Sequence, residues 1–335
     1  MTNATKTLAL VFAGSLVLAL ATSWQWDSTS SAAFQNEVLP VDTSTVQTIR
    51  IAGPDRPTLR LTRSDGNWTV SSADTTATYP ASPDAVGKLL RSVPGLAIEA
   101  VATRRPAKHP RYGVDSTGTT LTLLDASGER LGALVLGRTQ FRDAAGGGAA
   151  GGPLQRRRRT GTTITYVRPP EQPDVYVVEA SLRSFSAWDL TDWRDKRLWS
   201  VSRAQVQRID FSYPADSSFT LRRVTAPDTA AVPETWVSAG DTLSQRRVSP
   251  LLRTLTAPRA DGFAEALSPS DLQNAPYTLR LHLADDTQRT LRLSPAPTGS
   301  FYRAAADGYA YVAELREEAW NDSVLRGRSA FLPDD

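Results

Sequence analysis

VQTIRI at Val46–Ile51 returns as VQRIDF at Val206–Phe211, and the repetition points to a duplicated fold. The match runs outward from both hexapeptides. TLRLTRSDGNWTV follows the first, at Thr58–Val70, and FTLRRVTAPDTAAVPETWV follows the second, at Phe219–Val237. Each reads as a strand, a turn and a strand led by tryptophan, Trp68 or Trp236. Leu59 and Leu61 alternate with Arg60 and Thr62, the period of two that marks a strand with one buried face. A helix comes next in each copy. Val86, Leu89, Leu90 and Val93 fall at i, i+3, i+4 and i+7, as do Val248, Leu251, Leu252 and Leu255, which predicts one apolar stripe packed on a sheet. Ser82-Pro83-Asp84 supplies a cap, a proline in the first turn and an early acid. Pro250 stands where the first copy has Lys88, so the second helix is expected to start near Ser249 or to bend there.

Paired strands complete each copy. Thr119–Gly137 answers Tyr277–Pro295, each with a polar turn between alternating runs, and Ile164–Ala180 answers Ser300–Leu315. The expected fold is α+β, with two tandem, duplicated, β-rich modules of antiparallel sheet and one main packing helix each. The boundaries are a membrane segment at 1–27, a tether at 28–45, a first module at 46–185, a linker helix at 186–205 and a second module at 206–335. The first module carries a Gly/Arg-rich insertion at 142–163 that the second lacks.

Thr7–Trp26 holds no charge and follows Lys6. About 20 helical residues cross a bilayer core, and Trp24 and Trp26 sit where an interfacial belt belongs. This reads as an uncleaved, single-pass anchor following an N-terminal transmembrane helix pattern. It places the chain in the inner (cytoplasmic) membrane with its bulk extracytoplasmic, or periplasmic. A cleaved signal peptide is the competing reading, because Ala19-Leu20-Ala21 resembles a small-x-small cleavage site. Ser28–Ser31 extends the segment as a polar tether.

With 335 residues and no cysteine, the chain has length for about two domains and can form no disulfide or thiolate site. His109 and His282 are its two histidines, which leaves little for histidine-based acid–base or metal chemistry. His109 reads as an exposed loop residue. His282 lies on the face opposite Leu279, Leu281 and Leu283, and Asp285 and Asp286 beside it complete no triad. Asp189, Asp192 and Asp195 interleave with Trp188, Trp193 and Arg194; they read as a capped helix with local ion pairs. Trp68 and Trp236, at equivalent positions, read as core, and Asp334-Asp335 as a solvated tail. No catalytic, cofactor-binding or metal-binding residue is nominated, and the chain is not expected to be an enzyme. Of 38 basic residues, only Lys6, Lys88, Lys108 and Lys196 are lysine; genome composition can produce such a bias, and arginine used for phosphate is the competing reading.

GGGAAGGPLQRRRR at Gly146–Arg159 lacks the strand–loop–helix context and terminal Lys-Ser or Lys-Thr of a phosphate loop. It reads as a hairpin insertion. Arg156, Arg157, Arg158 and Arg159 form the one candidate electrostatic contact, toward anionic lipid or an anionic polymer. Nucleic acid is excluded as a partner by the extracytoplasmic address and by the absence of interleaved aromatics.

The order of elements, the GNW turn at Gly66–Trp68, the YGV at Tyr112–Val114 and the DLTDWRDKRL connector at Asp189–Leu198 resemble the DUF4340 family, a domain of unknown function, over most of the chain after the apolar segment. The second copy departs from the pattern, with LQNAPY at Leu272–Tyr277 in place of YGV. The resemblance implies one N-terminal anchor and an association with ABC-type export or gliding-motility transport components. On that basis the expected role is a non-catalytic accessory or scaffold subunit of such an envelope complex, with ABC-type transporter subunits as partners. The alternative is an envelope binding module for polysaccharide or another anionic polymer.

Overall fold

The computed structural model of the chain describes residues 37–143, 161–215, 217–224, 235–297 and 299–333. Thr7–Trp26, Ser28–Ser31, Gly146–Arg159 with its four consecutive arginines, and Asp334-Asp335 lie outside the described residues. Among the described residues no helix is long and apolar enough to cross a membrane.

The chain divides into two compact units between Leu190 and Thr191. In the first, strands β1 (Thr48–Ala52), β2 (Leu59–Ser64), β3 (Asn67–Ser72) and β4 (Thr78–Pro80) precede helix α1 (Pro83–Ser92). Strand β5 (Ile98–Thr103) and the one-turn helix α2 (His109–Tyr112) lead to β6 (Thr119–Leu124), β7 (Arg130–Asp143), β8 (Gly161–Arg168) and β9 (Val175–Val178). Short helix α3 (Arg183–Ala187) closes the first unit, and α4 (Leu190–Trp193) spans the division. The second unit repeats the plan with β10 (Val206–Ser212), β11 (Phe219–Val224), β12 (Thr235–Ser238), β13 (Asp241–Thr242) and α5 (Gln245–Thr256). It ends with β14 (Gly262–Phe263), β15 (Tyr277–Leu283), β16 (Gln288–Pro295), β17 (Phe301–Ala306), β18 (Ala313–Arg316) and α6 (Glu317–Ser323).

Each unit is one nine-stranded antiparallel sheet. The strand orders are β4-β3-β2-β1-β6-β7-β8-β9-β5 and β13-β12-β11-β10-β15-β16-β17-β18-β14, the same order in two copies. The register agrees across the central strands, and β7 adds bulges beside β6 and β8 that β16 lacks. Ile49 pairs with Leu61 on one side and Leu123 on the other; Ile209 pairs with Leu221 and Leu281. These six side chains are fully buried. A slip of one residue would turn every one of them to water, so the alternating leucines hold the register in both copies.

Helix α1 begins as its sequence dictates: Ser82 Oγ accepts from Ala85 N–H at 3.3 Å, with Pro83 in the first turn. Val86, Leu89 and Val93 are buried against the sheet, and Leu90 is half-buried. Helix α5 departs from the expected start near Ser249. It begins at Gln245 and carries Pro250 inside it. The Ser244 carbonyl accepts from both Arg247 N–H at 2.9 Å and Val248 N–H at 3.0 Å, which closes the first turn upstream of the proline. A proline inside a helix costs about 3 kcal/mol. Burial of Val248, Leu251, Leu252 and Leu255, at roughly 1.5–3 kcal/mol each, outweighs it.

The edges of the insertion also differ from the sequence boundaries. β7 runs on to Asp143 and β8 starts at Gly161, with Arg142 opposite Thr162 and Asp143 opposite Gly161. Residues 142–143 and 161–163 are therefore paired strand. Ladder hydrogen bonds continue wherever two chains lie side by side, whatever the connection beyond them.

Candidate functional site

In the first unit a cavity of about 450 Å³ opens beside the turn after β1, the start of β6 and the middle of β7. Its lining includes Asp55 and Arg56 from the β1–β2 turn, Gly113 after α2, Thr117 and Thr119 before and at the start of β6, and Arg138 in β7. The size falls within the roughly 300–1,000 Å³ of small-molecule sites.

Arg56 is fixed in this wall. Its Nη1 donates to the Trp188 carbonyl at 3.0 Å, and its Nη2 donates to Thr119 Oγ1 at 3.3 Å and to the Ser186 carbonyl. The carbonyls of Ser186 and Trp188 belong to the C-terminal turn of α3, whose last carbonyl groups have no intrahelical donor. The planar guanidinium reaches them and a hydroxyl together. Gly53 makes room: a Cβ there would stand 2.6 Å from Arg56 Nε. Arg138 and Asp55 are exposed at the cavity and make no hydrogen bond or ion pair among the described residues.

The YGV turn forms the adjoining wall. Gly113 caps α2 at φ +65°, and its N–H donates to the His109 and Pro110 carbonyls. The turn lies directly on the sheet. A Cβ on Gly137 would stand 2.4 Å from the Tyr112 carbonyl oxygen, and one on Gly118 would stand 2.8 Å from that of Gly113. Val114 is fully buried against Val135 and Val175, and its carbonyl accepts from Arg168 Nε at 3.0 Å. The motif thus presses a loop backbone onto β7 and shapes the cavity beside it. In the second unit Leu272, beside Ala305 and Val312, forms a comparable small cluster without a glycine turn.

Register fixes what the second unit places where the first has its cavity. Thr119 faces Leu136 across β6–β7, and Tyr277 faces Leu293 across β15–β16. Tyr213 matches Gly53 in a β10–β11 turn of equal length, and Tyr302 matches Thr165. Tyr277 packs edge-on to Tyr213 at 5.5 Å and to Tyr302 at 5.9 Å, joined by Phe211, Phe219 and Phe331. Burial, and then the neighbouring Tyr277 and Tyr302 phenols, push the Tyr213 hydroxyl well above its ordinary value. It stays a neutral donor, and it bonds the Val324 carbonyl at 3.3 Å. A glycine and two threonines in one unit thus correspond to three tyrosines in the other.

The residues nominated by sequence fall as follows. Arg156–Arg159 lie outside the described residues. His109, half-buried, has Nε2 2.8 Å from the Pro173 carbonyl, tying α2 to the loop before β9. His282 faces away from the core as its alternation implies, and its partner is Asp210 rather than the aspartates beside it. His282 Nε2 lies 2.7 Å from Asp210 Oδ2, while Arg208 Nε and Thr220 Oγ1 donate to Asp210 Oδ1 at 2.7 and 2.8 Å. Burial raises the Asp210 carboxyl, but the hydrogen bonds from Arg208, Thr220 and His282 outweigh it and hold the group below its ordinary value. Asp285 instead accepts from Thr287 N–H and Oγ1 in the turn.

In the connector, Asp192 pairs with Lys196 at 3.5 Å, the local ion pair expected there. Arg194 departs from a surface pairing. It is 3% exposed, pairs with Glu265 and lies 3.6 Å from the Phe263 ring centre. Trp236 is core, at 1% exposed, whereas Trp68 is half-buried. The two are equivalent in register, opposite Arg223 and Arg63, so the core reading holds for one ring and only partly for the other. Sequence reasoning did not find Arg56, Arg138 and Asp55; the signal available was the substitution of Gly53 and Thr119 for Tyr213 and Tyr277 in the repeat.

A family model described as "Domain of unknown function (DUF4340)" matches residues 72–280. No curated protein and no solved structure matches the chain.

Proposed function

This chain belongs to the DUF4340 family, and from that premise we propose that it is a non-catalytic, extracytoplasmic accessory or scaffold subunit of an ABC-type export or gliding-motility-related envelope complex. The observation that supports this reading is how the fold uses its polar groups. Arg56 fastens α3, His282 and Arg208 fasten Asp210, and Tyr309 Oη donates to the Asp195 carbonyl at 2.6 Å. Groups used in this way hold backbone and strands in place. On the face of the first sheet turned from the core, Arg50 and Arg60 are exposed, a surface that protein recognition can use. The apolar Thr7–Trp26 supplies the membrane address, and the family resemblance supplies the class of partner.

Purification of the full-length chain in detergent tests the reading. Co-elution of transporter subunits in fixed proportion is the expected result. Elution of the chain without membrane-protein partners contradicts it.

One observation favours a second reading, an envelope binding module for an anionic polymer. Arg50 and Arg60 stand directly opposite each other across β1 and β2. Both are exposed, and neither has an ion pair among the described residues. Like charges directly opposite destabilise a sheet, and a bound polyanion relieves that repulsion. Polymer recovered with the purified chain in place of protein subunits favours this reading.

A further inference from the structure

The two units carry one topology with one register across their central strands, and they differ in chemistry at one end of the sheet. There the second unit is plugged by Tyr213, Tyr277 and Tyr302. The first unit has Gly53, Thr119 and Thr165 at those places, and Thr119 lines a cavity of about 450 Å³. Small side chains alone would leave an apolar void, which is costly and is normally filled. Here the opening is polar. It is lined by one guanidinium held by the Ser186 and Trp188 carbonyls, a second guanidinium at Arg138, the Asp55 carboxylate, and Thr117 beside Thr119.

We propose that this cavity binds a small hydroxylated oxyanion, the chemistry shared by acidic sugars and sugar phosphates. Two arginines against one carboxylate give the walls a net positive charge. Arg138 has its full fork of donors available for a carboxylate or phosphate. Arg56 is already oriented, so ligand binding does not pay to order it. Asp55 can only accept when ionised, and a ligand hydroxyl satisfies it without adding a charge beside it. The site goes beyond the accessory role and does not depend on it, because its lining belongs to the first unit alone.

The experiment is calorimetric titration of the full-length chain in detergent with glucuronate, with glucose 6-phosphate and with glucose as the neutral control. Three variants accompany the parent: Arg138→Gln removes the unengaged guanidinium, Thr119→Tyr copies the plug of the second unit, and Arg280→Gln removes an exposed arginine from the second sheet. At least one of the two acids is expected to bind, and glucose at least about tenfold more weakly, the scale of a lost charge-assisted bond. Which acid binds identifies the oxyanion as carboxylate or phosphate. Arg138→Gln and Thr119→Tyr should each weaken binding about tenfold or more, and Arg280→Gln should leave it unchanged. Arg138 is exposed, so its variant remains decisive if Thr119→Tyr fails to fold. Three results would each overturn the proposal: neither acid binds, glucose binds as well as the acids, or Arg138→Gln binds like the parent. Equal losses in Arg280→Gln and Arg138→Gln would also overturn it, by showing general attraction to a basic surface.

Discussion

The Arg56 guanidinium and the Tyr213 hydroxyl make the same bond in the two copies of the fold. Arg56 Nη1 donates to the Trp188 carbonyl at 3.0 Å and Tyr213 Oη to the Val324 carbonyl at 3.3 Å. Both acceptors are the C-cap residues of the helix that follows the penultimate strand of the sheet order, α3 in one unit and α6 in the other. Both donors come from the turn between the first two strands of their unit. The carbonyl must be satisfied in either case, but the ring fills its surroundings while the guanidinium leaves an opening.

Arg56→Ala should therefore loosen α3. Loss of its bonds to Ser186, Trp188 and Thr119 is expected to cost about 1–3 kcal/mol, because two carbonyls lose a charged donor. Arg56→Lys should recover less than half of that, since a point charge cannot span three acceptors. Urea unfolding of both variants checks the order, and a fully stable lysine variant would contradict it.

The two equivalent tryptophans should respond unequally. Trp236→Ala removes a ring that is 1% exposed and should cost about 3–5 kcal/mol. Trp68, half-buried, should cost roughly 1–2 kcal/mol, because part of its surface already meets water. Equal losses, measured in the same denaturant series, would show that Trp68 is packed as tightly as its counterpart.

Gly137→Ala should destabilise the first unit by about 1–3 kcal/mol, the range for forcing an extra carbon into a packed site. Its Cβ would meet the Tyr112 carbonyl at 2.4 Å, and backbone cannot rotate aside. Gly66 is the contrast: it has a positive φ of 81° but open space around it, so alanine there should cost about 1 kcal/mol from conformation alone. Thermal melts of the two variants give the comparison.

Asp210 sets an acid-side dependence. Its folded-state pKa is depressed, so its contribution to stability is present above the ordinary carboxyl value of 3.8 and is lost as pH falls through the lower folded value. A carboxyl-detected NMR titration should place its midpoint below 3.8. His282→Ala removes one donor and should move that midpoint upward. A midpoint unchanged in the variant would show that Arg208 and Thr220 alone hold the carboxylate.

Much of this architecture is legible from local periodicity. Alternation at i and i+2 identifies β1, β2, β6 and β15, and the spacing at i, i+3 and i+4 identifies α1 and α5, because those patterns record which face meets the core. The repeat then pairs Val46 with Val206 and Leu89 with Leu251. The candidate site is not legible in this way. Arg56 meets Trp188 across 132 residues and His282 meets Asp210 across 72, and no local pattern encodes such contacts. A start of α5 near Ser249, one of the two expectations drawn from Pro250, fails for a related reason. Propensity describes the isolated segment, whereas four buried aliphatic side chains decide the helix in its place. Trp68 and Trp236 share a register but not a burial, since neighbouring chain rather than strand position determines how much of each ring is covered.

One sheet topology occurs twice, with one register across its central strands, and the absence of cysteine from the chain opens that match to cross-linking. Arg50 lies opposite Thr122 across β1–β6, and Asp210 lies opposite Arg280 across β10–β15. Directly opposed residues stand about 4.5–5.5 Å apart at Cα, within reach of a disulfide. Arg50→Cys with Thr122→Cys, and Asp210→Cys with Arg280→Cys, should each oxidise to an intramolecular bridge visible as a shift on a non-reducing gel. Arg50→Cys with Ser71→Cys spans two strands, about 9–10 Å, and should remain reduced. Bridges in both equivalent pairs and none in the control are the predicted result; a bridge in only one equivalent pair, or a bridge in the control, would contradict a shared topology and register.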